Sequence, residues 1–401
     1  MARPAGGIAV NTFDGREIFI FPGNLRMYDT IIIGLGGMGA ATAWHLARRG
    51  QRVLGLEQFD LVHDRGSSHG ASRIIRQAYF EHPDYVPLLK RAYAYWHELG
   101  DESEAETMNL CGMFVAGRPG DEVVSGTRRA AATHGLPLEC VAAGDAVARF
   151  PGLRAEPDMD ILFDPLGGYL CVENCVASHL AGARSRGADL RANEGALSWR
   201  QDGEGIRVTT ARGEYTAANL VISAGPWAGS LLRELALPLS PHRVVLAWFQ
   251  PNTTVHDVDR GAPVFGIQTD AGFFYGFPRI DGDGVKVALH QPGAFLANPS
   301  VVDRAVSHED VAPVQNFAGR HLLDLELGSW TGKTCIYTMT PDEHFIVDRH
   351  PLHENVFIAA GFSGHGFKFT PVIGAIMADY CTEGITKEPA EFLGLGRFGS
   401  K

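Results

Sequence analysis

The stretch "TIIIGLGGMGAATAWHLARRGQRVLGLEQ" constrains this chain more than any other. A short apolar, β-branched run (30–33) leads into Gly34-Leu35-Gly36-Gly37-Met38-Gly39, and helix formers follow over 40–48. Gly50 supplies a C-terminal stop for that helix. Residues 53–56 read as a second strand that ends at Glu57. The pattern is G-x-G-x-x-G between a strand and a helix. Glycines there let the backbone turn tightly and approach a pyrophosphate, which sits at the positive end of the helix. Glu57, at the end of the second strand, stands where a carboxylate accepts hydrogen bonds from ribose hydroxyls. Gly34, Gly36, Gly39 and Glu57 are thus expected to bind a dinucleotide.

Two later segments repeat the theme. "ANLVISAGPWAG" is a strand running into a glycine, and "ENVFIAAGFSGHGFKFTPVIGAIMADY" reads as strand, glycine-rich loop, helix. Between them "VVLAWFQ", "GFFYGFP" and "GVKVALH" are short β-rich runs with turns in between, as in an antiparallel sheet. The expected class is α/β: a Rossmann-like dinucleotide-binding domain plus a mainly antiparallel substrate domain. A chain of 401 residues outgrows one ordinary core. The first domain is assigned to 27–110, 165–237 and 340–395, the second to 111–164 and 238–339. Residues 1–26 are expected to be a loosely ordered extension, since Asp14, Arg16 and Glu17 interrupt any signal-peptide core.

A net charge of −11 disfavours broad nucleic-acid or anionic-membrane binding, and no apolar run is long enough to span a bilayer. The six cysteines show no CxxC pair, so reduced thiols in a cytoplasmic protein without a metal site are expected. The motif does not separate FAD from NAD. Its place at the start of a long chain, with a late strand–loop–helix able to return to a ring system, favours FAD.

Five further motifs bear on function: "GSSHGASRIIRQAY", "FFYGFP", "VKVALH", "CIYTMTPDEHFIVDRHP" and "AAGFSGHGFKF". With them the chain resembles the monomeric sarcosine oxidase family, which includes N-methyltryptophan and pipecolate oxidases, among the D-amino-acid-oxidase-like flavoproteins. The resemblance implies FAD bound covalently through Cys335, which precedes Lys368 at the spacing of sarcosine oxidases. It places Arg73 beside the flavin and makes Arg76 with Lys368 the clamp for the substrate carboxylate. Arg73 and Arg76, three apart, are read as one face of a helical turn. Ser68, His69, Gly364 and Gly366 are implied to contact the cofactor.

By the same resemblance Lys286 activates oxygen, and His290 and Tyr275 line the amine side. Residues at i and i+4 of a strand point to one face roughly 13 Å apart, so Lys286 and His290 can share a cavity. Gly266, on the run before Tyr275, replaces a methionine of sarcosine oxidases. It is expected to open room for a substrate larger than sarcosine. The expected activity is FAD-dependent oxidation of a secondary amino acid, with oxygen reduced to hydrogen peroxide by a monomer. A flavin dehydrogenase, a cyclic imino acid oxidase and a non-catalytic flavin-binding module stay open as alternatives.

Overall fold

Four glycine- or acid-ended strands lie side by side with their carboxyl ends in register. Val53–Leu56, Met27–Ile33, Gly213–Ile222 and His353–Ala360 pair in parallel, in that order. Asp189–Arg191 adds to one edge in parallel. Gly205–Thr210, Ala196–Asp202 and Ile346–His350 complete eight strands with antiparallel pairings. This computed structural model describes residues 9–13, 16–20 and 27–399.

The parallel strands are apolar without alternation because both faces are covered. Ile32, Val53, Val221 and Phe357 enter one core, with the helices Gly37–Arg48, Tyr85–Glu102, Val172–Ser185 and Thr370–Glu383. Ile31, Leu54, Leu220 and Ile358 enter another on the opposite face. Each such side chain contributes about 1.5–3 kcal/mol on burial. The carboxyl ends of these strands carry Gly34, Glu57, Ser223 and Gly361, and there the sheet opens into a cleft. An open α/β sheet binds ligands at that place.

A second eight-stranded sheet runs in the order Leu325–Met339, Ser240–Pro251, Val285–Leu289, Gly272–Phe277, Val264–Thr269, Met113–Gly117, Asp160–Asp164, Glu139–Val141. All its pairings are antiparallel except that of Val264–Thr269 with Met113–Gly117. Alternation is clean here. Phe249, Phe265, Phe274, Val285 and Val287 pack beneath the helix His308–His321. Trp248, Tyr275, Phe277, Cys335 and Tyr337 occupy the other face. A short sheet of Ser72–Ile75, Gly168–Cys171 and Met108–Asn109 carries the segment around Arg73.

One expectation changes. The stretch holding Arg73 is a strand, not a helical turn, because Ile74 and Ile75 pair with Tyr169 and Gly168. Arg76 follows the strand. Within the extension expected to be loose, Ala9–Phe13 pairs antiparallel with Arg16–Ile20. The rest of that extension lies outside the described residues.

Candidate active site

The first turn of the cleft is built almost wholly from backbone. Gly34 has φ +91°, a conformation side chains disfavour. Its N–H donates to Leu56 O at 2.8 Å, which ties the turn to the second strand. The Leu35 N–H donates to one Glu57 carboxylate oxygen at 2.9 Å and the Phe59 N–H to the other at 3.1 Å. A carboxylate has about four acceptor sites, so Glu57, only 5% exposed, keeps capacity for ligand hydroxyls. Gly39 lets the helix sit against the turn: a Cβ there would meet Gly34 O at 1.8 Å. Gly36 differs. A Cβ on it would meet nothing nearer than Ser68 Oγ at 3.5 Å, and its open side faces the cleft. Ser68 Oγ accepts from the Gly37 N–H at 3.0 Å.

The far end of the cleft is lined by Arg73, Cys335, Tyr337, Gly364, Gly366 and Phe367. Gly364 and Gly366 are required by crowding, since a Cβ would lie 2.4 Å from the Tyr337 ring and 2.5 Å from Phe362 respectively. Cys335 is 1% exposed. Its Sγ accepts from Arg73 Nη2 at 3.4 Å. Burial pushes the thiol up, but His69 and Arg73 beside it outweigh burial and bring it down to about 6. His69 is buried, yet neither ring nitrogen meets a partner at hydrogen-bonding distance and angle. The uncovered glycine turn and the acidic thiol lie on one continuous cleft. These residues fit a bound dinucleotide.

Next to this end Lys286 is 2% exposed. Its Nζ donates to Gly70 O and Ser72 O, each at 2.7 Å, and to Ser72 Oγ at 3.3 Å. All three donors are used, and they fix the loop that carries Arg73. Burial, then Arg73, holds the ammonium well below its ordinary pKa. Lys286, Ala288 and His290 point to the same side, as the strand period requires. His290 Nδ1 and Tyr275 Oη each share a hydrogen bond with Tyr337 Oη at 3.3 Å. Burial brings His290 down to about 4, while Tyr275 and Tyr337 are raised.

Arg76 and Lys368 meet on one ring. The Arg76 guanidinium lies 4.4 Å and the Lys368 ammonium 5.2 Å from the centre of Tyr79. Lys368 Nζ donates to His365 O at 2.8 Å, and burial, then Arg76, lowers it to about 7. Arg76 Nη2 donates to both oxygens of Glu81 at 2.6 Å. Burial raises Glu81, but Arg76 and Lys368 among its neighbours bring it to about 2. When Lys368 is protonated, this cluster carries one more positive charge than Glu81 offsets.

The expectation for Gly266 does not hold. A Cβ on it would meet Phe273 at 2.8 Å and Met113 at 2.9 Å, so neighbours already fill the space. Sequence reading also missed Glu81, Tyr337 and Glu173, whose carboxylate accepts from the Gly70 and Ala71 N–H groups. Tyr337 was within reach: it lies two positions past Cys335 on a strand, hence on the same face. Glu81 and Glu173 carry no comparable local signal. Among the described residues no group of histidine, cysteine and carboxylate side chains could hold a metal ion. No helix among them is long and apolar enough to cross a membrane.

A parallel sheet with a glycine turn, a buried acid after the neighbouring strand and a thiol at the cleft end is the arrangement of a dinucleotide-dependent oxidoreductase of the flavoprotein kind. Comparison with known proteins is consistent with this. The FAD dependent oxidoreductase (DAO) family model matches residues 29–380, and the chain belongs to that family. Monomeric sarcosine oxidase of Streptomyces avermitilis is 44% identical over 372 residues, covering 90% of this chain and 95% of that one. N-methyl-L-tryptophan oxidase of Salmonella enteritidis is 34% identical over 354 residues, covering 88% and 94%. Among solved structures, NikD, an unusual amino acid oxidase essential for nikkomycin biosynthesis, superposes with TM-score 0.82 at 26% identity, over 92% of this chain and 97% of that one.

Proposed function

We propose that this chain is an FAD-dependent oxidase of secondary amino acids, of the sarcosine and N-methyl amino acid class, with FAD attached through Cys335. The observations that carry this reading are Arg76 and Lys368 placed over the one Tyr79 ring and, lining the cleft, a buried thiol lowered to about 6. A thiolate is the nucleophilic form of cysteine, so Cys335 is primed for covalent attachment at neutral pH. Gly34, Gly36, Glu57 and Ser68 would hold the dinucleotide, and Arg73 and His69 its reactive end. When bound, FAD supplies a two-electron acceptor for the amine's carbon–hydrogen bond and returns the electrons to oxygen as hydrogen peroxide.

The side chains around the substrate orient more than they exchange protons. Arg76 and Lys368 would hold the carboxylate, and His290, Tyr275 and Tyr337 would line the amine. His290 lowered to about 4 is neutral at working pH, and the raised tyrosines keep their protons. With no base poised beside the amine, the substrate must react as the neutral amine, held in place by its carboxylate. Lys286 would act in the oxygen step, held in place by Gly70 O and Ser72 O. A cytoplasmic monomer with oxygen as acceptor completes the proposal.

The test is an oxygen electrode with sarcosine as substrate. Oxygen uptake matched by peroxide supports the oxidase. Turnover with an artificial electron acceptor and none with oxygen would make the protein a dehydrogenase.

A further inference from the structure

The ring of Phe273 lies where the side chain of residue 266 would be. In the sheet Gly266 pairs with Tyr275, and Gln268 pairs with Phe273. Phe273 is therefore the diagonal neighbour of Gly266 on the same face. Its Cε2 and Cζ both come within 2.8 Å of a Cβ built on Gly266, with Met113 Cε at 2.9 Å behind. An aromatic ring covering a glycine on the next strand is a recurrent way of sealing a sheet face. Here the sealed face is the one that carries Tyr275, Lys286 and Cys335.

The ring also spans the two ends of the proposed substrate position. On one side it meets Phe80 edge to face, with centroids 5.2 Å apart, and Phe80 lies under the Arg76 guanidinium at 4.3 Å. On the other it meets the His290 ring at 6.2 Å, and the His290 backbone N–H donates to Phe273 O at 2.8 Å. An amino acid whose carboxylate is held at Arg76 and whose amine lies by His290 has its α-carbon between them, opposite Phe273. Phe274 and Phe277 on the same strand are fully buried, whereas Phe273 keeps part of its surface exposed. Its ring is therefore not packed on every side. It cannot retreat, because the room behind it over Gly266 is the room it already fills.

We infer that Phe273 sets the size limit of the site, and that it restricts the enzyme to N-methyl amino acids with little or no side chain on the α-carbon. This rests on the oxidase reading above and narrows it. Small Cα substituents pass the ring; branched or aromatic ones collide with it.

The experiment compares sarcosine with N-methyl-L-leucine as kcat/KM, in native enzyme, Phe273→Leu, Phe273→Ala and Gly266→Ala. Native enzyme is expected to favour sarcosine at least tenfold. Phe273→Ala should reduce that preference by about 10–200-fold, the usual range for changing the shape of an apolar pocket. Phe273→Leu, the variant more certain to fold, should fall between. Gly266→Ala pushes the ring into the site and should raise the preference. A second readout needs no turnover: Kd for acetate against 4-methylvalerate, from the visible spectrum of the bound flavin. It should shift the same way in each variant. Native preference for N-methyl-L-leucine, or an unchanged ratio in both Phe273 variants, overturns the inference. If no secondary amino acid is oxidised, the oxidase reading fails, while the carboxylate affinities still decide the claim about Phe273.

Discussion

At Cys335 two opposing effects act on one sulfur. Burial favours the thiol, and the neighbouring His69 and Arg73 favour the thiolate and prevail, leaving the group at about 6. An acid with a lowered pKa is ionised above that value and protonated below it. Attachment of FAD to the apoprotein should therefore run at full rate above pH 6 and slow about tenfold per pH unit below it. The check is acid precipitation after timed incubation at each pH, reading colour retained in the pellet. Cys335→Ala should release all of it. At Lys368 the sign is reversed, because the ammonium is charged below about 7 and neutral above. Binding a carboxylate above pH 7 must then take up a proton. The Kd of an amine-free carboxylate should weaken about tenfold per unit from there until the complex itself deprotonates. Lys368→Met should cost about 10–100-fold in that Kd at pH 6 and remove the pH dependence. Cys335 and Lys368 could be picked out from the chain alone, through motif and spacing. The reasons for their ionisation could not, since Arg73 and His69 belong to a segment near the start of the chain and reach Cys335 only through the fold.

Among the elements, the glycine turn and its helix separate two uses of one residue type. Gly39 is demanded by packing, since a Cβ would overlap Gly34 O, whereas Gly36 is open on the cleft side. Gly39→Ala should lower Tm through overpacking of about 1–3 kcal/mol or more. Gly36→Ala should leave the Tm of the apoprotein nearly unchanged and weaken FAD binding instead. Equal Tm loss in both would mean the turn is structural throughout. In the strand Val285–Leu289, Lys286 anchors the 70–72 loop and is proposed to take part in the oxygen step. Lys286→Met should slow re-oxidation by air by about 100-fold or more, with a smaller effect on reduction by amine. Equal losses in the two steps would reduce Lys286 to an anchor. The parallel strands were legible because their apolar runs end in glycine or acid. "SRIIR" reads as a helical turn because its arginines stand three apart, while its paired isoleucines favour a strand and find partners in Gly168–Cys171. Gly266 reads as open space because the ring that fills it belongs to the adjacent strand, and only register reveals it.

For the molecule as a whole, the two large sheets are drawn from interleaved segments of chain, and the proposed site lies where the cleft of one meets the face of the other that carries Cys335 and Tyr337. The hairpin Ala9–Phe13 with Arg16–Ile20 pairs with no other described strand. A chain beginning at Met27 should accordingly keep its FAD and its Tm within a few degrees. Loss of the flavin would show that the extension belongs to the fold. The central claim, an oxidase of N-methyl amino acids, is tested most directly by anaerobic mixing of the purified yellow protein with sarcosine. The account predicts that the flavin absorbance bleaches and then returns when air is admitted, with peroxide formed in equal amount. Absorbance that stays unchanged with sarcosine and with every other secondary amino acid would contradict it.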